Sequence, residues 1–127
     1  MKENEIGTLI VNAAIEVHRE LGPRLLESVY EASLAHELER SGLYVKAQIP
    51  VSVAYKTVHF DIGFRMDLLV NDLVVIELKS VEYLLPVHRK QLQTYLRLSG
   101  KRLGYLLNFG SALMKEGIVR AVHGLPE

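Results

Sequence analysis

The sequence predicts one α/β domain in which a mixed sheet, built on an antiparallel meander, is flanked by helices. Three observations predict it. Two early stretches repeat apolar residues at helical spacing, the middle turns to β-branched and aromatic residues, and the last third places one more helix before one or two short strands. The 127 residues suit a single domain over 1–127, large enough for one core without disulfides.

Ile6, Leu9, Ile10, Ala13, Ala14, Val17 and Leu21 form one stripe of an amphipathic helix from about residue 4 to 20, with Asn4 as its cap. Leu21-Gly22-Pro23-Arg24 interrupts it, because glycine and proline disfavour its continuation. A second helix runs from about Leu26 to Ser41, with Val29, Tyr30, Leu34 and Leu38 facing inward and Gly42 ending it. Strands follow over 45–49, 51–55, 59–70 and 73–79, with reversals at Lys56-Thr57 and Asn71-Asp72. Pro86 opens a helix to about Leu98 that Gly100 closes. Arg102 to Phe109 then reads as a strand and Ile118 to Val122 as a short last one.

Composition narrows the chemistry. With no cysteine there is neither a disulfide framework nor a thiolate metal site, so a metal would need oxygen or imidazole ligands; that favours a hard cation such as Mg2+ or Mn2+. Met1-Lys2-Glu3-Asn4-Glu5 is too acidic for a signal peptide, and no apolar run approaches the roughly 20 residues of a membrane span. A cytoplasmic protein with no membrane role is expected. The net charge is zero, without the basic excess of a protein that binds nucleic acid mainly through phosphates. Its distribution is uneven: residues 1–40 hold four Lys/Arg against eight Asp/Glu, whereas 86–102 hold Arg89, Lys90, Arg97, Lys101 and Arg102 with no acid. That second stretch is either a basic stripe or an ordinary solvated helix face.

Leu73-Val74-Val75-Ile76 is apolar on both strand faces and so belongs at the centre of the sheet. Glu77 and Lys79 end that strand on one face, where charges are seldom buried unless they are paired or bind a metal. Asp67, on the preceding strand, can join them only in one register. A two-residue loop at Asn71-Asp72 pairs Asp67 with Ile76 and turns it away, whereas a three-residue loop or a bulge sets it opposite Glu77. The second register is expected. Two carboxylates on adjacent strands can hold a magnesium ion that binds phosphate oxygens and acidifies water, with Lys79 orienting that water and neutralising developing charge. The ordinary structural alternative is an ion pair between Lys79 and one of the acids.

The stretches Gly22 to Tyr30, Phe64-Arg65-Met66-Asp67-Leu68-Leu69-Val70, Ile76-Glu77-Leu78-Lys79, and Gln91 with Thr94-Tyr95-Leu96 resemble the GxxExxY protein family, a branch of the PD-(D/E)xK nuclease-like superfamily. The resemblance runs in order over nearly the whole chain. It implies a restriction-endonuclease-like core and cleavage of phosphodiester bonds, with Asp67 and Glu77 as metal ligands and the Leu78 carbonyl as a third. It also implies Glu27 as a further acidic group of the site and Gln91 as a glutamine beside the metal. The partner implied is nucleic acid, DNA ahead of RNA, and a homodimer would set two sites across two strands. Alongside this stands a non-catalytic nucleic-acid- or protein-binding module that keeps the fold, or a structural domain whose charges form a buried ion-pair network.

The naming motif falls on Arg24, Glu27 and Tyr30, with Arg24 in the place of its glycine. If that position needs a positive φ, arginine costs about 1 kcal/mol there; its side chain could approach a substrate phosphate. Glu27 would otherwise be a carboxylate favoured by a helix N-terminus, Tyr30 a core or supporting residue, and His18 a hydrogen-bonded packing residue or one at the site edge. His88, Arg89 and Lys90 could meet a phosphate backbone. His36, His59 and His123 have no zinc-site spacing.

Overall fold

The computed structural model describes residues 1–126. The elements are α1 (Glu3–Leu21), α2 (Glu27–Arg40), β1 (Val45–Tyr55), β2 (Val58–Val70), β3 (Val74–Lys79), α3 (Pro86–Ser99), β4 (Leu103–Asn108), a 3-10 turn (Met114–Gly117) and β5 (Ile118–Val122). The five strands lie in the order β1-β2-β3-β4-β5. β1, β2 and β3 form the expected antiparallel meander, and β5 is antiparallel to β4. β4 alone runs parallel to its neighbour β3, because α3 carries the chain back across the sheet before it re-enters.

β3 is therefore central, and Val74, Val75, Ile76 and Leu78 are buried. Each face of the sheet has its own apolar layer. Ile6, Ile10, Tyr30, Leu34, Ile76 and Leu107 meet on the α1/α2 side, and Val75, Leu92, Tyr95, Leu96 and Leu106 on the α3 side. Burying such stripes from both directions is what makes the helices stable at these lengths.

Three local expectations need correction. Lys2 rather than Asn4 is the cap of α1; Asn4 lies inside the first turn, where its carbonyl accepts from the Thr8 hydroxyl and its side-chain oxygen from Arg120. Val29 is exposed, since only Tyr30, Leu34 and Leu38 of α2 fall on the buried stripe. Residues 45–49 and 51–55 belong to one strand, because Pro50 sits on the sheet edge, where its missing N–H costs no ladder bond.

β1 changes face midway. Strict alternation would put Val45 and Ile49 on one side, yet Val45 packs in the α1/α2 layer and Ile49 in the α3 layer. The switch falls at Gln48, whose φ of +55° is in the left-handed region. On β2, Met66 and Leu68 likewise fall in different layers, with Asp67 between them. Beyond this twist the β1–β2 hairpin continues without a third strand, since the β2–β3 ladder covers only Leu68↔Ile76 to Val70↔Val74.

Candidate active site

The site lies where β2 and β3 part. Their register places Leu68 opposite Ile76, and three residues, Asn71, Asp72 and Leu73, separate the strands, so Asp67 comes opposite Glu77 as the three-residue loop requires. Asn71 and Asp72 both take positive φ, the conformation this turn needs and their short polar side chains tolerate. Past Leu68 and Ile76 the ladder gives way to side chains. The Asp67 amide donates to Glu77 Oε1 at 3.0 Å, and the Leu78 amide donates to Asp67 Oδ2 at 2.7 Å.

Burial dominates the electrostatics. Glu77 is only 3% exposed, and its carboxyl is pushed up to about 8, first by burial and then by the charge of Asp67. Burial raises Asp67 as well, against the Leu78 amide and the charge of Lys79, which lower it. Glu27 acts on Glu77 through its charge, and Lys79 opposes that effect. Among the described residues no ion pair joins Glu27, Asp67, Glu77 and Lys79, so the geometry gives no buried ion-pair network.

Glu27 opens α2, exposed at the helix N-terminus. With Ser28, Glu31, Gln48, Asp67 and Leu78 it lines a cleft of about 160 Å³. Gln48 and Glu31 carry no distinctive motif and were not expected here. The Gln48 amide donates to Glu31 Oε1 at 2.7 Å and lowers the Asp67 carboxyl, while burial raises the Glu31 carboxyl. The signal for Glu31 was its position one helical turn after Glu27. Gln48 had none, because its place depends on the twist of β1.

Gln91 lies on α3 and does not line this cleft. Its amide donates to the Tyr95 hydroxyl at 2.9 Å, and Tyr95 lies within electrostatic reach of Glu77 and Asp67. Tyr95, one turn after Gln91, carried no assigned role. His88 is tied locally, its Nδ1 accepting from the Leu85 amide. Arg102 of the basic stretch pairs with Glu3 at 2.8 Å, which breaks up the stripe.

The supporting loops are clamped. Tyr30 stacks on Phe109 with centroids 4.3 Å apart, donates its hydroxyl to the Gly22 carbonyl and accepts from the Leu25 amide, which fixes the path into α2. Arg24 does sit at a positive φ of 69°. Its amide donates to Phe109 O at 3.1 Å and its Nε to Gly110 O at 3.2 Å, which anchors the side chain at its Nε. Asn108, buried at the end of β4, accepts from the Val81 and Gly110 amides and donates to the Val81 carbonyl, holding the segment just after Lys79. A Cβ at Gly110 would lie 2.0 Å from Val81 O, so only glycine fits that approach. His18 Nε2 donates to the Ser111 carbonyl oxygen at 2.8 Å, a packing role.

The donors fit a hard cation. They are oxygens, and the buried Glu77 and half-buried Asp67 carboxyls face each other, with the charge of Lys79 acting on both. Among the described residues no three acidic or histidine side chains gather as a ready metal cluster. Magnesium needs none, since it is commonly held by one or two carboxylates with water completing the octahedron. A separate cleft of about 370 Å³ between α1 and α2 is bordered by Glu16, Glu20 and Glu37. Among the described residues no helix is long and apolar enough to cross a membrane.

Comparison with known protein families matches residues 4–121 to the PD-(D/E)XK nuclease superfamily. No curated protein and no solved structure matches significantly.

Proposed function

We propose a function from one premise: this chain belongs to the PD-(D/E)XK nuclease superfamily, with the α/β architecture of a restriction-endonuclease-like fold. The reading is a nuclease that depends on magnesium or manganese and hydrolyses phosphodiester bonds, DNA ahead of RNA, in the cytoplasm. The observation that carries it is the pair Asp67 and Glu77, set opposite each other by the β2–β3 register, with Lys79 two residues further along β3.

Asp67 and Glu77 would hold the metal with the Leu78 carbonyl, and Glu27 and Glu31 would act through water from the α2 side of the cleft. When bound, the ion supplies Lewis acidity toward a phosphate oxygen and eases deprotonation of the attacking water. Lys79 places an ammonium beside the carboxyls, where it orients water and stabilises charge developing on the phosphorane. Gln91 acts through Tyr95, which it holds toward the site. Within the superfamily we place the chain in the GxxExxY branch, on Glu27 and Tyr30, with Arg24 replacing the motif's glycine.

The test is cleavage of single-stranded, duplex and branched DNA and RNA in magnesium, manganese or EDTA, run beside Glu77→Ala and Lys79→Ala. Metal-dependent cleavage lost in both folded variants supports the reading; unchanged turnover in either rejects these roles. The net charge of zero favours, as the alternative, a module that binds nucleic acid or protein without cutting. No cleavage and no saturable metal binding would select it.

A further inference from the structure

We propose that the α3-facing side of the β1–β2 arm is a binding platform for single-stranded nucleic acid, with bases stacking on Phe60 and Phe64. The proposal rests on the nuclease reading for its ligand class and adds the form of the strand.

The arm is amphipathic. Val51 and Met66 face the α3 layer; farther out, past a break in register between Pro50 and Ser52, Val53 pairs with Phe60 and Tyr55 with Val58. α3 covers only the inner end of this face. Farther out Tyr55 is 59% exposed, Val58 49% and Phe60 44%. A row of large apolar side chains here serves no core, and contiguous exposed apolar surface marks a binding site.

Where the arm meets α3 there is a cavity of about 320 Å³ bounded by Phe64, Val87, Lys90, Gln91, Thr94 and Tyr95. The Phe64 and Tyr95 rings pack against each other with centroids 5.8 Å apart and tilted 56°, forming one aromatic wall of the cavity. Phe64 lies three residues before Asp67 on β2, roughly 10 Å along the strand, which is the reach of one or two nucleotides. Lys90 lies on its rim, and Lys56 at the arm tip carries its ammonium 5.4 Å from the Tyr55 ring centroid.

Charge decides for a single strand. A chain of net charge zero gains little from phosphates alone, so the binding energy must come largely from stacking, which needs exposed base faces. In a duplex those faces are already stacked on one another.

The experiment uses the full chain in EDTA and a DNA oligonucleotide carrying 2-aminopurine, single-stranded or annealed. Binding of the single strand should quench the reporter. Phe60→Ala and Phe64→Ala should each weaken single-strand binding about tenfold, Phe60→Tyr and Phe64→Tyr should restore it, and duplex affinity should not change. Lys90→Gln should reduce the salt slope of single-strand binding by about 0.7. Unchanged single-strand affinity in both folded alanine variants, or a loss shared equally by duplex, overturns the proposal. So does a dimer in sedimentation that Phe60→Ala dissociates without altering oligonucleotide affinity, which would assign the face to a second copy. Metal-dependent cleavage that ignores these substitutions would leave the nuclease reading standing and remove the platform; quenching as expected without any cleavage would do the reverse.

Discussion

Glu77 and Asp67 each take a backbone N–H of the other's neighbourhood: Glu77 Oε1 accepts from the Asp67 amide at 3.0 Å, and Asp67 Oδ2 from the Leu78 amide at 2.7 Å. The carboxyls thereby replace ladder bonds where β2 and β3 separate. Both are held in place before any ligand arrives, and both are raised by burial.

Stability of the metal-free protein should fall as pH rises from about 4.5 to about 8. In that window folded Glu77, with its carboxyl near 8, keeps a proton that the unfolded chain, near 4.5, has lost. The unfolded state then binds fewer protons, so rising pH favours it, by at most about 1.4 kcal/mol per pH unit for one group. Urea titrations in EDTA across this range check the slope. Glu77→Gln, which carries no titrating proton, should flatten it.

Metal binding should displace that proton. Near pH 7, manganese should raise the melting temperature of the natural chain and release protons, seen as a dependence of calorimetric heat on buffer ionisation enthalpy. Asp67→Asn and Glu77→Gln should both lose the thermal shift. A shift that survives in both places the metal elsewhere.

Gln48 joins a positive φ to a contact with Glu31. Gln48→Gly relieves the backbone and should leave stability equal or higher by about 1 kcal/mol, while lowering metal affinity about tenfold through the freed Glu31 carboxylate. Denaturant melts and manganese titration of the same variant separate the two effects. Unaltered affinity would make Gln48 a residue of the fold only.

Arg24 also sits at positive φ, but its side chain is anchored to Gly110. Arg24→Ala keeps the strain and loses the bond, whereas Arg24→Gly loses both. The alanine variant should therefore be the less stable of the two by about 1 kcal/mol, read from chemical denaturation.

Asn108→Ala removes three hydrogen bonds, one buried and two part-buried, that hold Val81 and Gly110 behind Lys79. It should cost about 3 kcal/mol and, where the protein still folds, weaken activity through Lys79 placement. Retained stability would show that the loop finds other partners.

Most of the architecture was legible in order along the chain. The helical stripes, the glycine and proline breaks, the three-strand meander and the doubly apolar β3 all follow from local spacing. The errors were local too: Val29 lies at the margin of its stripe, Asn4 is a good cap residue two positions too late, and Pro50 reads as a strand end although an edge strand tolerates it. The site was half legible. Asp67, Glu77 and Lys79 stand out because charges beside an apolar central strand need a reason, but Gln48, Glu31 and Asn108 look like ordinary polar residues.

By itself, the sequence determined the elements, the central position of β3 and which carboxylates could meet, because periodicity and turn chemistry act over a few residues. Only the tertiary structure decided what surrounds them. The twist at Gln48 brings β1 to the cleft, the α3 crossover brings the hydrogen-bonded Gln91 and Tyr95 to the sheet with Tyr95 within electrostatic reach of the carboxyls, and the 108–110 turn clamps the chain after Lys79. Each of these joins residues distant in sequence, and burial, which raises Glu77 to about 8, is a property of that assembly rather than of any one segment.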